Sequence, residues 1–289
     1  MSVADLARRL RLRQHGQEWR GDCPACGYAD AFALAGKDGR ALWHCASCRD
    51  RGAVTAAVRA AGGDNWSPPR PAPARPMKDH AAATRKALAI WEGSEPLPGT
   101  LAADYLAARG LADEHSTALR FHRAVRHVNT AGTFPALVAL VVDTMTGAPV
   151  AIHRTYLRSD GKGKANLDPP RASKGPITGA AIVLHKAKAG AALVIGEGIE
   201  TSLSAGRLIG APAWAAVAAG NIKALRPPPE AREIIIAADP DETGLREAWA
   251  AARLWKAAGR VVRVATPDAA GQDFNDLWRA RSGREGLHG

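Results

Sequence analysis

Two short stretches of the chain set acids directly after apolar runs. In Ala192-Leu193-Val194-Ile195-Gly196-Glu197-Gly198-Ile199-Glu200 a glutamate closes the run. In Glu233-Ile234-Ile235-Ile236-Ala237-Ala238-Asp239-Pro240-Asp241-Glu242-Thr243-Gly244 two aspartates do. Carboxylates brought together repel one another unless positive charge sits among them. A hard divalent cation with oxygen ligands, Mg²⁺ or Mn²⁺, is the economical partner for Glu197, Asp239 and Asp241. A different chemistry lies near the N-terminus, where Cys23-Pro24-Ala25-Cys26 and Cys45-Ala46-Ser47-Cys48 give the spacing C-x2-C-x18-C-x2-C. Each pair can turn two thiolates to one point, and four thiolates complete a tetrahedral Zn²⁺ shell with no open position. Such a site is structural and lets a small module fold without a large core. His44, beside Cys45, reads as a strand residue, because the four cysteines already fill the shell.

The elements that must position the acids follow from the apolar pattern. Residues 192–196 and 233–238 are rich in Val and Ile and lack polar alternation, as strands buried on both faces of a parallel sheet do. Further strands are expected at 213–218 and 260–265. Helices are expected at 199–209, at 243–258 and from Asn275, with a short one after Asn221. This is the βα alternation of a doubly wound α/β sheet. Such sheets bind ligands beyond the carboxyl ends of their strands, where Glu197, Asp239 and Asp241 fall. The stretch Gly271-Gln272-Asp273-Phe274-Asn275-Asp276 adds acids beyond the 260–265 strand.

Upstream, a helix is expected over Val3–Leu12 and a strand through Trp19. A hairpin follows, pairing Phe32-Ala33-Leu34 with Ala41-Leu42-Trp43 about Lys37-Asp38-Gly39, and then a helix over Val54–Ala61 that stops at Gly62-Gly63. Between Ser67 and Pro76, five prolines with Arg70 and Arg75 make a stiff basic linker. Beyond it lie helices over His80–Trp91 and Leu101–Arg109, the second with Thr100 as N-cap and Gly110 as stop. Strands Phe134–Val142 and Ala148–Leu157 join through the Asp143–Gly147 turn. The expected organisation is a zinc-ribbon module (1–63), a linker (64–79), an α+β middle subdomain (80–188) and a C-terminal α/β domain (189–289).

With 39 Lys and Arg against 28 Asp and Glu, the formal charge is +11. That favours a polyanionic partner, nucleic acid first, against the alternative of a solvated surface in an arginine-rich composition. Arg154, Arg158, Lys162, Lys164, Arg171 and Lys174, with glycines at 161, 163 and 175, suit contact with phosphates or, alternatively, form a solvated loop. The position of this stretch just upstream of the acids favours phosphates, since the acids alone would repel a triphosphate. In the N-terminal module Trp43, with Arg40, Arg49 and Arg51, either stacks on a single strand or packs the small core. There is no signal-peptide pattern and no run of 18 apolar residues, and all four cysteines fall between positions 23 and 48. A cytoplasmic protein without a membrane partner is expected. No G-x-x-x-x-G-K-[ST] stretch is present.

A glutamate after one strand, Asp-x-Asp-x-x-Gly after a later one and a compact α/β unit resemble the Toprim domain, shared by bacterial-type primases, topoisomerases and some nucleases. With a zinc ribbon ahead of it across a linker and a middle region, the whole chain resembles the DNA primases of bacteria, phages and plasmids. The resemblance implies that Asp239 and Asp241 bind catalytic divalent metal and that Glu197 is the remaining essential acid, as ligand or proton acceptor. It implies that Asp273, with Asn275, supplies the last acidic element, and that the basic middle segment around Lys174-Gly175 meets template and nucleotide. The implied activity is synthesis of short RNA primers on single-stranded DNA from nucleoside triphosphates, with a separately encoded replicative helicase as a candidate partner. Three features depart from the pattern. Thr201 stands where primases often carry another acid, with Glu200 a candidate substitute. The zinc set is four cysteines rather than three and a histidine. The middle region is short, and no helicase-binding C-terminal domain is expected. The same acids would also serve a Toprim nuclease, whereas a non-catalytic single-strand-binding accessory protein gains nothing from them. The length and the presence of only Tyr28, Tyr105 and Tyr156 as tyrosines argue against a topoisomerase.

Overall fold

The computed structural model describes residues 2–37, 40–47, 51–62, 80–269 and 271–285. The chain divides between residues 78 and 79 into two compact units. Cys48, Arg49 and the expected linker at 64–79 lie outside the described residues, as do the side chains of Arg40 and Arg51.

The first unit opens on α1 (Val3–Arg9), capped by Ser2, whose hydroxyl accepts from the Asp5 amide while the Asp5 carboxylate accepts from the Ser2 amide. The helix ends before Leu12, because Arg11 adopts a left-handed backbone with φ 56°. Four strands then form an antiparallel sheet in chain order: β1 (Arg13–His15), β2 (Glu18–Gly21), β3 (Phe32–Lys37) and β4 (Arg40–Cys45). The hairpin expected from the sequence is β3–β4, in a register that sets Leu34 opposite Trp43 and Phe32 opposite Cys45. Helix α2 (Arg51–Gly62) completes a small core of Leu6, Ala7, Cys23, Phe32, Leu34, Val54 and Val58.

The second unit begins with α3 (His80–Glu92), β5 (Glu95–Pro96) and α4 (Leu101–Ala108), whose N-cap is Thr100. An antiparallel sheet follows, of β6 (Leu119–Arg126), β7 (Thr133–Asp143), β8 (Pro149–Tyr156) and β9 (Arg171–Lys174). Neither β6 nor β9 was expected. A register shift between His122 and Val125 interrupts the two-residue period of β6, which hides it in the sequence. Strand β9 runs through the end of the expected loop, so Arg171 and Lys174 sit on a strand paired with β8.

β10 (Ala180–Val183) pairs antiparallel with the end of β7 on one side and with β12 (Ala213–Ala215) on the other. It therefore joins the antiparallel sheet to a parallel one. The parallel strands lie in the order β12, β11 (Leu193–Gly196), β13 (Glu233–Ala237), β14 (Val261–Ala265). Helices α5 (Ile199–Ile209) and α7 (Phe274–Glu285) contribute Leu203 and Phe274 to one face of the sheet. Helix α6 (Glu242–Ala257) contributes Ala248, Ala251 and Trp255 to the other, so the strands are apolar on both sides. The short helix expected after Asn221 is a 3-10 turn, Ala219–Ala224. The Asn221 amide donates to the carbonyls of Ala180 and Ala216 at 2.9 and 2.8 Å. Among the described residues, no helix is long and apolar enough to cross a membrane.

Candidate functional site

Gly196, Ala215, Ala237 and Ala265 lie level in the register of the parallel strands and end them together. Glu197 and Asp239 therefore emerge side by side past β11 and β13. These two neighbours mark the point where strand order reverses, because the chain goes from β11 outward to β12 and then returns to β13. Open α/β sheets place their ligands at that crevice.

Local structure fixes each acid. Asp241 is the N-cap of α6, with its Oδ1 accepting from the Gly244 amide at 2.6 Å. The glycine is needed because a Cβ at position 244 would lie 2.7 Å from the Asp239 carbonyl oxygen. Asp-x-Asp-x-x-Gly is thus a cap and a close approach in one motif, and it leaves the second oxygen of Asp241 unspent on the cap. Beyond β12, the amides of Ala216 and Val217 donate to the carbonyls of Gly196 and Glu197 at 2.8 and 2.9 Å. Val217 holds φ 71°, a costly value for a β-branched residue, and the chain past it brings the Ala219 amide within reach of the Glu197 carboxylate. Asp273 caps α7 reciprocally with Asp276.

Glu197 and Asp239 are half-buried. Burial and the Asp239 charge push the Glu197 carboxyl above its ordinary value, with Arg171 pulling it back. Burial also raises Asp239, as do the charges of Asp241 and Asp273, against Arg171 and the Thr201 hydroxyl. Glu197, Asp239, Asp241 and Asp273 thus form one electrostatic group whose negative charge Arg171 offsets only in part, and a divalent cation would offset more of it. No three of these acids, among the described residues, bring oxygens within 4.8 Å of one another.

Glu200 does not replace the acid absent at position 201. It is buried, accepts from the Tyr105 hydroxyl through Oε1, and pairs through the same oxygen with Lys164 at 3.2 Å. Against the upward push of burial, Lys164 and Tyr105 hold its carboxyl down at about 2. Thr201 offers its hydroxyl to Asp239 instead. Tyr105 lies 95 residues before Glu200, on another helix, and no sequence signal pointed to it. His153, buried beside this group with Nδ1 3.0 Å from Ser173 Oγ, is lowered to about 4 by burial and by the Arg171 charge.

The basic residues separate on inspection. Arg171 approaches the acids and Lys164 is bound to Glu200. Lys162 is exposed, and Lys174 is half-buried at the end of β9. Arg154 departs from expectation: it is 4 % exposed, and its guanidinium donates to the carbonyls of Ala172, Arg126 and Ser173. Those bonds bind β8 to its neighbours and leave Arg154 no surface to offer a phosphate. Asn275 is buried, donating to the Arg109 carbonyl at 2.8 Å and Ser204 Oγ at 3.0 Å, which makes it a joint between α7, α4 and α5.

In the first unit the sulfurs of Cys23, Cys26 and Cys45 lie within 4.8 Å of one another, a donor set that fits a thiophilic metal. Trp43 is half-buried and packs with the small core.

The acid crevice thus lies at the switch point of a parallel sheet. Residues 192–284 match the family described as Toprim domain, so this part of the chain is a Toprim domain with an α/β parallel-sheet fold. Residues 81–184 match a domain of unknown function (DUF7146). No curated protein matches the sequence. Among solved structures, a DNA primase domain from Pseudomonas aeruginosa is 16% identical, with TM-score 0.44 over 70% of this chain and 77% of that one. The Aquifex aeolicus primase (zinc binding and RNA polymerase domains) is 14% identical, with TM-score 0.45 over 100% of this chain and 84% of that one. A bacteriophage T7 lagging-strand DNA polymerase structure with primase domains matches at 17% identity and TM-score 0.39, over 68% of this chain and 89% of that one.

Proposed function

We propose that this protein is a DNA primase that makes short RNA primers on single-stranded DNA from nucleoside triphosphates. The observation that carries this reading is the crevice between β11 and β13, where Glu197, Asp239, Asp241 and Asp273 gather with Arg171 beside them. Asp239 and Asp241 would hold Mg²⁺ or Mn²⁺, with Glu197 and Asp273 completing the set. When bound there, such an ion would supply charge neutralisation on a triphosphate and would lower the pKa of a 3′-hydroxyl. Glu197, whose carboxyl burial and the Asp239 charge push up, would serve as a metal ligand or as the acceptor of that proton. Arg171 and the exposed Lys162 offer charge to phosphates that the acids would otherwise repel. Cys23, Cys26, Cys45 and Cys48 would hold Zn²⁺ in a module that engages the template. The partners of this reading are a single-stranded DNA template and nucleoside triphosphates, with a separately encoded replicative helicase.

The test is primer synthesis on single-stranded DNA with labelled nucleotides and Mg²⁺ or Mn²⁺, wild type beside Asp239→Asn. New short oligonucleotides from wild type, reduced by about 10²–10³-fold or more in the variant, are expected. Degraded template without new product would replace the primase with a Toprim nuclease.

A further inference from the structure

The basic turn at 157–165, between β8 and β9, is folded on itself. Leu157 bridges to Lys164, and the Arg158 amide donates to the Gly163 carbonyl at 2.9 Å. The Asp160 carboxylate takes the Lys162 amide at 2.9 Å and the Arg158 guanidinium at 2.6 Å. The turn is seated on α4 at Gly161, which is buried. A Cβ there would lie 2.9 Å from Asp104 Cβ and 3.3 Å from the Leu101 carbonyl oxygen. A second anchor is Lys164, whose ammonium stands 3.2 Å from Glu200 Oε1 in the first turn of α5. Tyr105, also on α4, donates its hydroxyl to that same oxygen. The far end of α4 receives α7, because the carbonyls of Arg109 and Gly110 accept from Asn275 Nδ2 at 2.8 Å and Trp278 Nε1 at 2.6 Å. One helix thus braces the basic turn against both helices that follow acids of the crevice, α5 after Glu197 and α7 after Asp273.

The two lysines of the turn are left in opposite conditions. Lys164 is committed to a buried carboxylate. Lys162 is exposed and, among the described residues, makes no ion pair within 4.0 Å. We propose that Tyr105 and Glu200 are positioning residues that lock the 157–165 turn, through Lys164, beside the acid crevice. The turn so held presents Lys162 to the phosphates of a nucleoside triphosphate, a role that rests on the triphosphate-binding reading given above. A cation carried on a braced turn loses less freedom on meeting its anion than one on a loose loop, so the lock strengthens binding without touching the ligand. Charge alone predicts the opposite sign. Were Glu200 only a counter-charge withholding Lys164, its loss would release a cation and tighten the hold on an anion. As a lock, its loss frees the turn and weakens that hold, although a negative charge has gone.

Binding of Mg²⁺-ATP to the full, zinc-loaded chain, measured by calorimetry, separates the two, and hydrogen exchange of the 157–165 amides reports on the turn itself. Tyr105→Phe, Glu200→Gln and Lys162→Gln are each expected to weaken ATP binding by about three- to tenfold. The first two should also speed exchange in the turn, and Lys162→Gln should not. Added to Lys162→Gln, Tyr105→Phe should cost less than about twofold more, because its effect passes through that lysine. Tighter or unchanged binding in a folded Glu200→Gln overturns the proposal. Should that variant not fold, Tyr105→Phe decides alone, since it keeps every charge and the ring. Additive losses in the double variant overturn the proposal too, as do weakened binding with unchanged exchange in the turn and a wild type that binds no ATP. ATP binding in the expected order without primer synthesis would sink the primase reading and leave the lock standing. Primer synthesis whose nucleotide dependence ignores Tyr105→Phe would do the reverse.

Discussion

The two candidate metal centres stand on opposite kinds of support. In the N-terminal unit, three sulfurs converge to within 4.8 Å on a core of seven buried residues. In the C-terminal unit, cores on both faces of a parallel sheet hold four carboxylates that do not close on one another to that degree. The described core of the first unit is small, and metal ligands there would act as part of it. The second pins each acid by strand ends and helix caps alone, and so can keep Glu197 and Asp239 in a strained electrostatic state. On the proposed reading, metal would complete the fold in one place and relieve a charge imbalance in the other.

The contrast breaks most visibly on metal removal. Stripping the cysteine site with a chelator, or changing Cys23 and Cys45 to serine, should unfold the N-terminal unit. Structural zinc contributes about 10–16 kcal/mol in small modules. Removing Mg²⁺ should leave the C-terminal unit folded. Limited proteolysis, with fragments assigned to either side of residue 78, reads both at once. Simultaneous digestion of the C-terminal unit on loss of zinc would abolish the distinction.

A smaller effect sharpens it within the C-terminal unit, where Asp239 and Glu200 are both carboxylates of a partly or fully buried site. The folded-state pKa of Asp239 is raised, so its ionised form costs stability above that raised value, and the cost disappears as pH falls toward the ordinary value. Glu200 is lowered to about 2, so it contributes stability above the ordinary 4.5 that is lost as pH falls from there toward 2. In metal-free protein, Asp239→Asn should therefore raise the melting temperature at neutral pH and Glu200→Gln should lower it. Breaking a buried ion pair by removing one partner costs about 3 kcal/mol. Melting curves of both variants from pH 4 to 8 check the sign, and equal shifts in one direction would refute it.

What could be read in the sequence was what local chemistry decides. Acids after apolar runs, the Asp-x-Asp-x-x-Gly cap and the paired cysteines each involve neighbours within a few positions, so spacing carries the geometry. Arg154, expected to meet phosphates, and Glu200, one candidate for the missing acid, stand where they do for the same reason: their partners are distant in sequence. Arg154 spends its guanidinium on the carbonyls of Arg126, Ala172 and Ser173, and Glu200 meets Lys164 and Tyr105. A charged residue in a basic or acidic stretch shows its sign but not its commitment. Strand β6 was missed because its bulge shifts the alternation midway, and β10, four apolar residues long, is too short to show a period.

The finest test concerns Tyr105, which has no charge to lose. Its hydroxyl donates to the oxygen of Glu200 that also takes Lys164, and the ring is fully buried. Burial and the Glu200 charge push the Tyr105 phenol well above its ordinary value, so it stays a donor across the working pH range. Tyr105→Phe removes one bond to a buried carboxylate while keeping the packing of the ring. A hydrogen bond to a charged group contributes about 1.5–3 kcal/mol, and Lys164 remains to satisfy Glu200, so the lower end is expected. For a unit of this size that lowers the melting temperature by about 3–6 °C. The Glu200 carboxyl should rise from about 2 toward its ordinary value, which moves the acid limb of the stability curve to higher pH. Mn²⁺ affinity should stay at the wild-type value, because Glu200 faces Lys164 rather than the metal crevice. A variant that loses Mn²⁺ binding while remaining folded would return Glu200 to the metal site and place Tyr105 among its supports.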